Sequence, residues 1–82
     1  MNKKTPSKNF LRNQILSALQ TYFAELDHAL PADLYQLVLT EVEVPLLELV
    51  MKKTNGNQSV AAKWLGISRG TLRKLLAKHN LA

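Results

Sequence analysis

The stretch Gln58-Ser59-Val60-Ala61-Ala62-Lys63-Trp64-Leu65-Gly66-Ile67-Ser68-Arg69-Gly70-Thr71-Leu72-Arg73-Lys74-Leu75-Leu76-Ala77 reads as two short helices joined by a tight turn. Gly66 suits the turn, because positive φ costs a residue without Cβ almost nothing. Ala62 is small where the two helices must cross closely. Ala61, Leu65, Ile67 and Leu72 fall at spacings that fill a shared core, with Leu75 or Leu76 closing it. Ser68 is a favourable N-cap for the second helix, and Asn57 for the first. The first turns of the second helix then display Arg69, Gly70, Thr71, Arg73 and Lys74. Small residue, glycine turn, apolar spacing, cap and basic face coincide as they do in a helix-turn-helix.

That motif suits duplex DNA. A major groove about 12 Å wide admits one helix, with its N-terminal residues toward the base edges. Arg69 stands where a guanidinium makes a bidentate contact to guanine. Thr71, Arg73 and Lys74, with Lys78 further along, are candidates for phosphate contacts. Asn57, Gln58 and Ser59 are candidates too, at the start of the preceding helix where backbone N–H groups are free.

Charge points the same way. The chain carries 11 Lys and Arg against 6 Asp and Glu, a net charge of +5 over 82 residues. Every acid lies between Glu25 and Glu48, whereas Lys52, Lys53, Lys63, Arg69, Arg73, Lys74 and Lys78 follow with none among them. Such a block implies a polyanionic partner, nucleic acid or an anionic membrane surface. There is no Cys, and the two His, His28 and His79, stand far apart. Disulfides are excluded and no cofactor or metal site is expected. The two His read as surface residues or partners of helix C-termini. Scattered carboxylates, with no nucleophile motif or phosphate loop, give no sign of an enzyme. The apolar stretch Leu34 to Met51 is interrupted by Glu41, Glu43, Pro45 and Glu48, so no membrane span or membrane partner is expected. A basic start without an apolar segment behind it is no signal peptide, and a cytoplasmic location is expected.

Upstream, residues 1–9 read as a flexible basic arm and residues 10–82 as a single domain. Leu11, Ile15, Leu16, Leu19, Tyr22, Phe23 and Leu26 form a helical stripe within Phe10–Leu26. Asp33 and Gln36 match a capping box that opens a second helix. Its apolar residues (Leu34, Leu37, Val38, Leu39, Val42, Val44, Leu46, Leu47, Leu49, Val50 and Met51) are too many for one face. A helix apolar nearly all round must be buried nearly all round, and one small subunit cannot wrap it. A second copy is expected to cover it. Pro45 kinks this helix at a cost of roughly 3 kcal/mol or breaks it in two. Thr54-Asn55-Gly56-Asn57 ends it. Trp64 reads as a core or subunit-packing residue in preference to a base-stacking platform.

From Leu34 onward the chain resembles the Fis family, the bacterial factors for inversion stimulation. The resemblance rests on Leu34-Tyr35-Gln36-Leu37-Val38-Leu39, Glu41-Val42-Glu43, Pro45-Leu46-Leu47, Gly56-Asn57-Gln58 and Arg69-Gly70-Thr71-Leu72-Arg73-Lys74. Ala18-Leu19, Tyr22-Phe23-Ala24 and Leu26 extend it upstream. It implies an all-α fold of four helices per subunit, an intertwined homodimer with a C-terminal helix-turn-helix. Residues 10–55 would hold the dimerisation helices and residues 57–79 the DNA-binding motif. Leu19, Tyr22, Phe23, Leu37, Val38, Val42, Leu46, Leu49 and Val50 are the expected dimer interface. The implied function is DNA bending and transcription regulation in the nucleoid, with RNA polymerase a further partner. Recognition helices closer than successive major grooves would favour guanine/cytosine-flanked sites with A/T-rich centres. Arg69 and Ser68 would contact bases.

This sequence departs from the family at several points. Family members often carry Asn where Ser68 stands, so the base contact there is weakened. Val60 and Leu75 replace commonly basic residues, which implies a shallower salt dependence. The family's N-terminal mobile hairpin has no counterpart in Met1–Asn9, so stimulation of inversion is not among what the resemblance implies. Two other functions fit the residues less well. One is the DNA-tethering tail of an NtrC-type activator, disfavoured by the initial Met and basic arm. The other is a helical protein-interaction scaffold.

Overall fold

The computed structural model describes residues 7–82. It contains four helices and, among the described residues, no strand: α1 Lys8–Leu26, α2 Leu34–Lys53, α3 Gln58–Leu65 and α4 Arg69–Lys78. The chain divides between Ala32 and Asp33, with α1 in the first unit and α2, α3 and α4 in the second.

Helix α1 starts two residues before the expected Phe10. The Ser7 hydroxyl accepts from the Asn9 N–H at 3.0 Å and the Phe10 N–H at 3.4 Å, satisfying N–H groups that the helix itself leaves free. Lys8 and Asn9 are therefore helical, and the rest of the expected arm, residues 1–6, lies outside the described residues. No residue of α1 is buried. Its apolar stripe is present, but Phe10, Leu11, Ile15, Leu16 and Phe23 are exposed. Tyr22 and Phe23 meet edge to face with ring centroids 6.0 Å apart.

Helix α2 departs from expectation at its start. Asp33 adopts the left-handed conformation (φ 51°, ψ 36°) and its side chain caps nothing. A capping side chain needs extended backbone at that position to reach the N–H groups of the first turn, so the capping box with Gln36 does not form. Pro45 lies inside an uninterrupted helix, and the alternative of two helices is not what is seen. Of the apolar residues of α2 only Leu47 is buried. Val38, Val42, Leu46 and Leu49 recur at helical spacing on the side away from Leu47, and the last three are exposed.

The core of the second unit is small. Leu47 from α2, Ala61 and Ala62 from α3, and Leu72 and Leu76 from α4 are buried together. Val50, Met51, Leu65, Ile67, Leu75 and Leu81 pack around them. Leu47 thus belongs to the subunit's own core, and Val50, expected in the dimer interface, packs against that core as well. Thr54 ends α2 as a buried residue whose hydroxyl donates to the Val50 carbonyl at 2.8 Å. Beyond it Asn55 and Gly56 both take positive φ, and the Gly56 N–H donates to the Met51 carbonyl, reversing the chain toward α3. Among the described residues, no helix is long and apolar enough to cross a membrane.

Candidate nucleic-acid interface

Two side-chain caps and one glycine set the geometry of the interface. The Asn57 Oδ1 accepts from the Val60 N–H at 3.1 Å and starts α3. Gly66 ends that helix at φ 74°, where its N–H reaches the Ala62 and Lys63 carbonyls. The Ile67 N–H also donates to Ala62, at 3.1 Å. Ser68 then starts α4, its Oγ accepting from the Thr71 N–H at 3.0 Å. Leu72 and Leu76 turn inward against Ala61 and Ala62. That leaves the opposite side of α4 to solvent, where Ser68, Arg69, Gly70, Thr71, Arg73, Lys74 and Lys78 are all exposed.

Several of these side chains are held before any ligand arrives. Arg69 Nη1 donates to Ser59 Oγ at 3.5 Å, a long bond linking the start of α4 to the first turn of α3. The Ser68 hydroxyl, besides accepting from the Thr71 backbone, donates to Thr71 Oγ1 at 2.9 Å. Asn57 and Ser59 are exposed beside the start of α3, and Gln58 is half-buried. All the residues expected to touch DNA therefore lie on α3, α4 or their caps.

Electrostatically the unit is one-sided. Lys78 Nζ lies 4.0 Å from Glu43 Oε1. Among the described residues no carboxylate is within ion-pair distance of Lys52, Lys53, Lys63, Arg69, Arg73 or Lys74. Their field is unneutralised within the subunit and suits a polyanion.

Two readings are narrowed. Trp64, expected in the core or in subunit packing, is 59% exposed, so the subunit's own core is not its place. On α3 the residues that face α2 and α4 are Ala61, Ala62 and Leu65, and Trp64 falls off that arc. His79, expected at the surface or as a partner of a helix C-terminus, stands at the C-cap of α4 with a side chain only 5% exposed, hydrogen-bonded to Glu43 at 2.8 Å. Sequence reasoning missed this pair, which joins positions 36 residues apart with no local pattern to announce it.

Comparison with known proteins gives consistent results. Residues 38–79 match the family described as bacterial regulatory protein, Fis family. The chain is 53% identical over 72 residues to DNA-binding protein Fis of Actinobacillus succinogenes, covering 88% of this chain and 73% of that protein. It is 54% identical over 71 residues to the proteins of the same name from Yersinia enterocolitica and Proteus mirabilis, covering 87% of this chain and 72% of each.

Proposed function

The chain belongs to the Fis family of bacterial regulatory proteins, and from that premise we propose that it binds duplex DNA as a homodimer, bends it, and regulates transcription as a nucleoid-associated protein. It is a DNA-binding regulator and not an enzyme. The observation that carries the reading is α4 itself: a capped helix on a fixed turn, with Arg69 exposed at its first position and uncompensated cations around it.

In this reading Arg69 takes a guanine in each half-site, and Thr71, Arg73 and Lys74 hold phosphates with Asn57, Gln58 and Ser59. Lys78 contributes less, because Glu43 shares its charge. Ser68 is assigned to capping in preference to base contact, since its hydroxyl already serves Thr71 as acceptor and donor. Exposed apolar residues of α1 and of the outer side of α2 support the second subunit. Phe10, Leu11, Phe23, Leu46 and Leu49 are each about half exposed, and covering the remainder with a partner would gain about 0.7–1.5 kcal/mol for each. Residues 10–55 are the dimerising part and 57–79 the DNA-binding part. RNA polymerase, as further partner, and a nucleoid location belong to the same proposal. A tethering tail of a larger activator is less well supported, because similarity to the relatives spans 87–88% of the chain and reaches well upstream of the helix-turn-helix.

The test is a titration at one fixed salt concentration on two duplexes with identical guanine/cytosine half-sites. One has an A/T-rich centre, the other a G/C-rich centre. Bending a site of this size costs on the order of 1–6 kcal/mol, depending on the sequence bent. Tighter binding to the A/T-rich centre is expected, and equal binding would refute the bending dimer.

A further inference from the structure

Two lines of side chains meet between α2 and the C-terminal end of α4. On α2, Glu43 stands one turn before Leu47. On α4 and its cap, Leu72, Leu76 and His79 follow at helical spacing. The three leucines share one buried cluster. At the end of this seam His79 Nε2 donates to Glu43 Oε1 at 2.8 Å. A carboxylate oxygen accepts the bond, so the imidazole hydrogen sits on Nε2. The His79 side chain is 5% exposed and that of Glu43 24%.

The two kinds of contact constrain the helices differently. The turn and the packing on α3 orient α4 within the helix-turn-helix, and because apolar burial is non-directional the leucines alone discriminate weakly between small shifts of its C-terminal end along α2. A hydrogen bond weakens steeply as distance and angle depart from their narrow range. Leaving a covered imidazole or carboxylate unpaired also carries a desolvation penalty. Glu43–His79 is therefore the directional element of this contact. Lys78 Nζ, 4.0 Å from the same Oε1 on the open side, adds charge with little directionality. Arg69 lies at the opposite end of α4, about 15 Å away along the helix axis, so neither Glu43 nor His79 shares its place at the base edges.

We propose that Glu43 and His79 are positioning residues for the DNA complex. The pair adds a directional restraint on the C-terminal end of α4 against α2, beyond the turn and the core, and so tunes the separation of the two copies of α4 in the dimer. This inference rests on the bending-dimer reading above. That separation determines how far the duplex must bend and how strongly its centre is selected. Base reading at Arg69 is a separate property, which the pair leaves untouched.

The test compares the full chain with H79Q, H79N and H79L. The Gln amide nitrogen reaches about as far as imidazole Nε2, whereas the Asn amide is one carbon shorter. Affinities are measured on the two duplexes above and on one with the half-site guanine replaced. Bend is read from energy transfer between dyes on the duplex ends, and melting temperature is measured alongside. For H79N and H79L the A/T over G/C ratio should fall roughly threefold or more, with an altered bend. The guanine preference should stay at its wild-type value, and H79Q should restore both ratio and bend. If H79L does not fold, H79Q against H79N decides. Equal ratios and bends for these two, or a lowered melting temperature with ratio and bend unchanged, would overturn the proposal. A wild-type protein without bend or A/T preference would instead refute the underlying dimer reading.

Discussion

Gly66→Ala isolates the backbone term of the turn between α3 and α4. Gly66 sits at φ 74°, and a Cβ built there meets nothing within 4 Å. Steric crowding is thus absent, and only the left-handed conformation is penalised, by about 1–2 kcal/mol for a residue with Cβ. Alanine also lowers the entropy of the unfolded chain, which returns about 0.4–1 kcal/mol. The net destabilisation should be about 1 kcal/mol. Gly66→Asn should cost about half as much, since Asn tolerates this region through local hydrogen bonding. The chain itself places Asn55 and Asn80 at φ 54° and 59°. Urea unfolding at fixed protein concentration, followed by circular dichroism, measures both variants. DNA affinity under conditions where each remains folded should match wild type within about twofold, because nothing displaces α4. A loss above about 3 kcal/mol would mean the space is not open. No loss in either variant would mean that the turn does not impose its φ.

Further outcomes follow from the same geometry. Arg69→Ala should weaken specific binding by about 1–3 kcal/mol per half-site and relax one base pair in each. Lys74→Ala should weaken all sequences alike and reduce the salt slope by about one per subunit, about two for a dimer; titrations on site variants at several salt concentrations separate the two. Ser68→Ala should lower stability by about 1 kcal/mol through loss of the α4 cap. Its base preferences should remain, and a changed preference in a selection from random duplexes would restore Ser68 as a base reader. Leu47→Ala should cost about 2–5 kcal/mol of subunit stability. On the dimeric reading, Leu49→Ala, on the exposed side of α2, should chiefly raise the dimer dissociation constant, as measured by sedimentation.

The helix-turn-helix was legible because its determinants are local. A glycine forced to positive φ, alanines at a close crossing and two polar caps each act within four residues, so their spacing survives in one sequence. Ser7 offered a similar signal for the start of α1, and the polar run around it obscured that signal. Asp33 shows where local statistics fail: the residue type suits a cap, but its left-handed backbone turns the carboxylate away. Leu47 and Trp64 show another limit. Apolar residues on nearly every side of α2 gave no reason to choose Leu47 as the one that packs on α4. Trp64 reads as core or subunit packing, and its place on α3 carries it off the subunit's own core. Glu43 and His79 were beyond reach for a simpler reason, since only tertiary structure brings such distant positions together.

The exposed apolar residues of α1 have a consequence for the protein's fate in the cell. None of the 19 residues of α1 is buried, and in proteins most helical stability comes from tertiary packing rather than from propensity. On the dimeric reading, mass action supplies the missing stability, so α1 gains order as the protein accumulates. When synthesis stops and the concentration falls, the stretch before Asp33 loosens first, while the core around Leu72 persists. Phe10 and Leu11 then become substrates for proteases that recognise unfolded apolar segments. Scarcity would thereby hasten removal, giving the pool a sharper decline than dilution by growth alone.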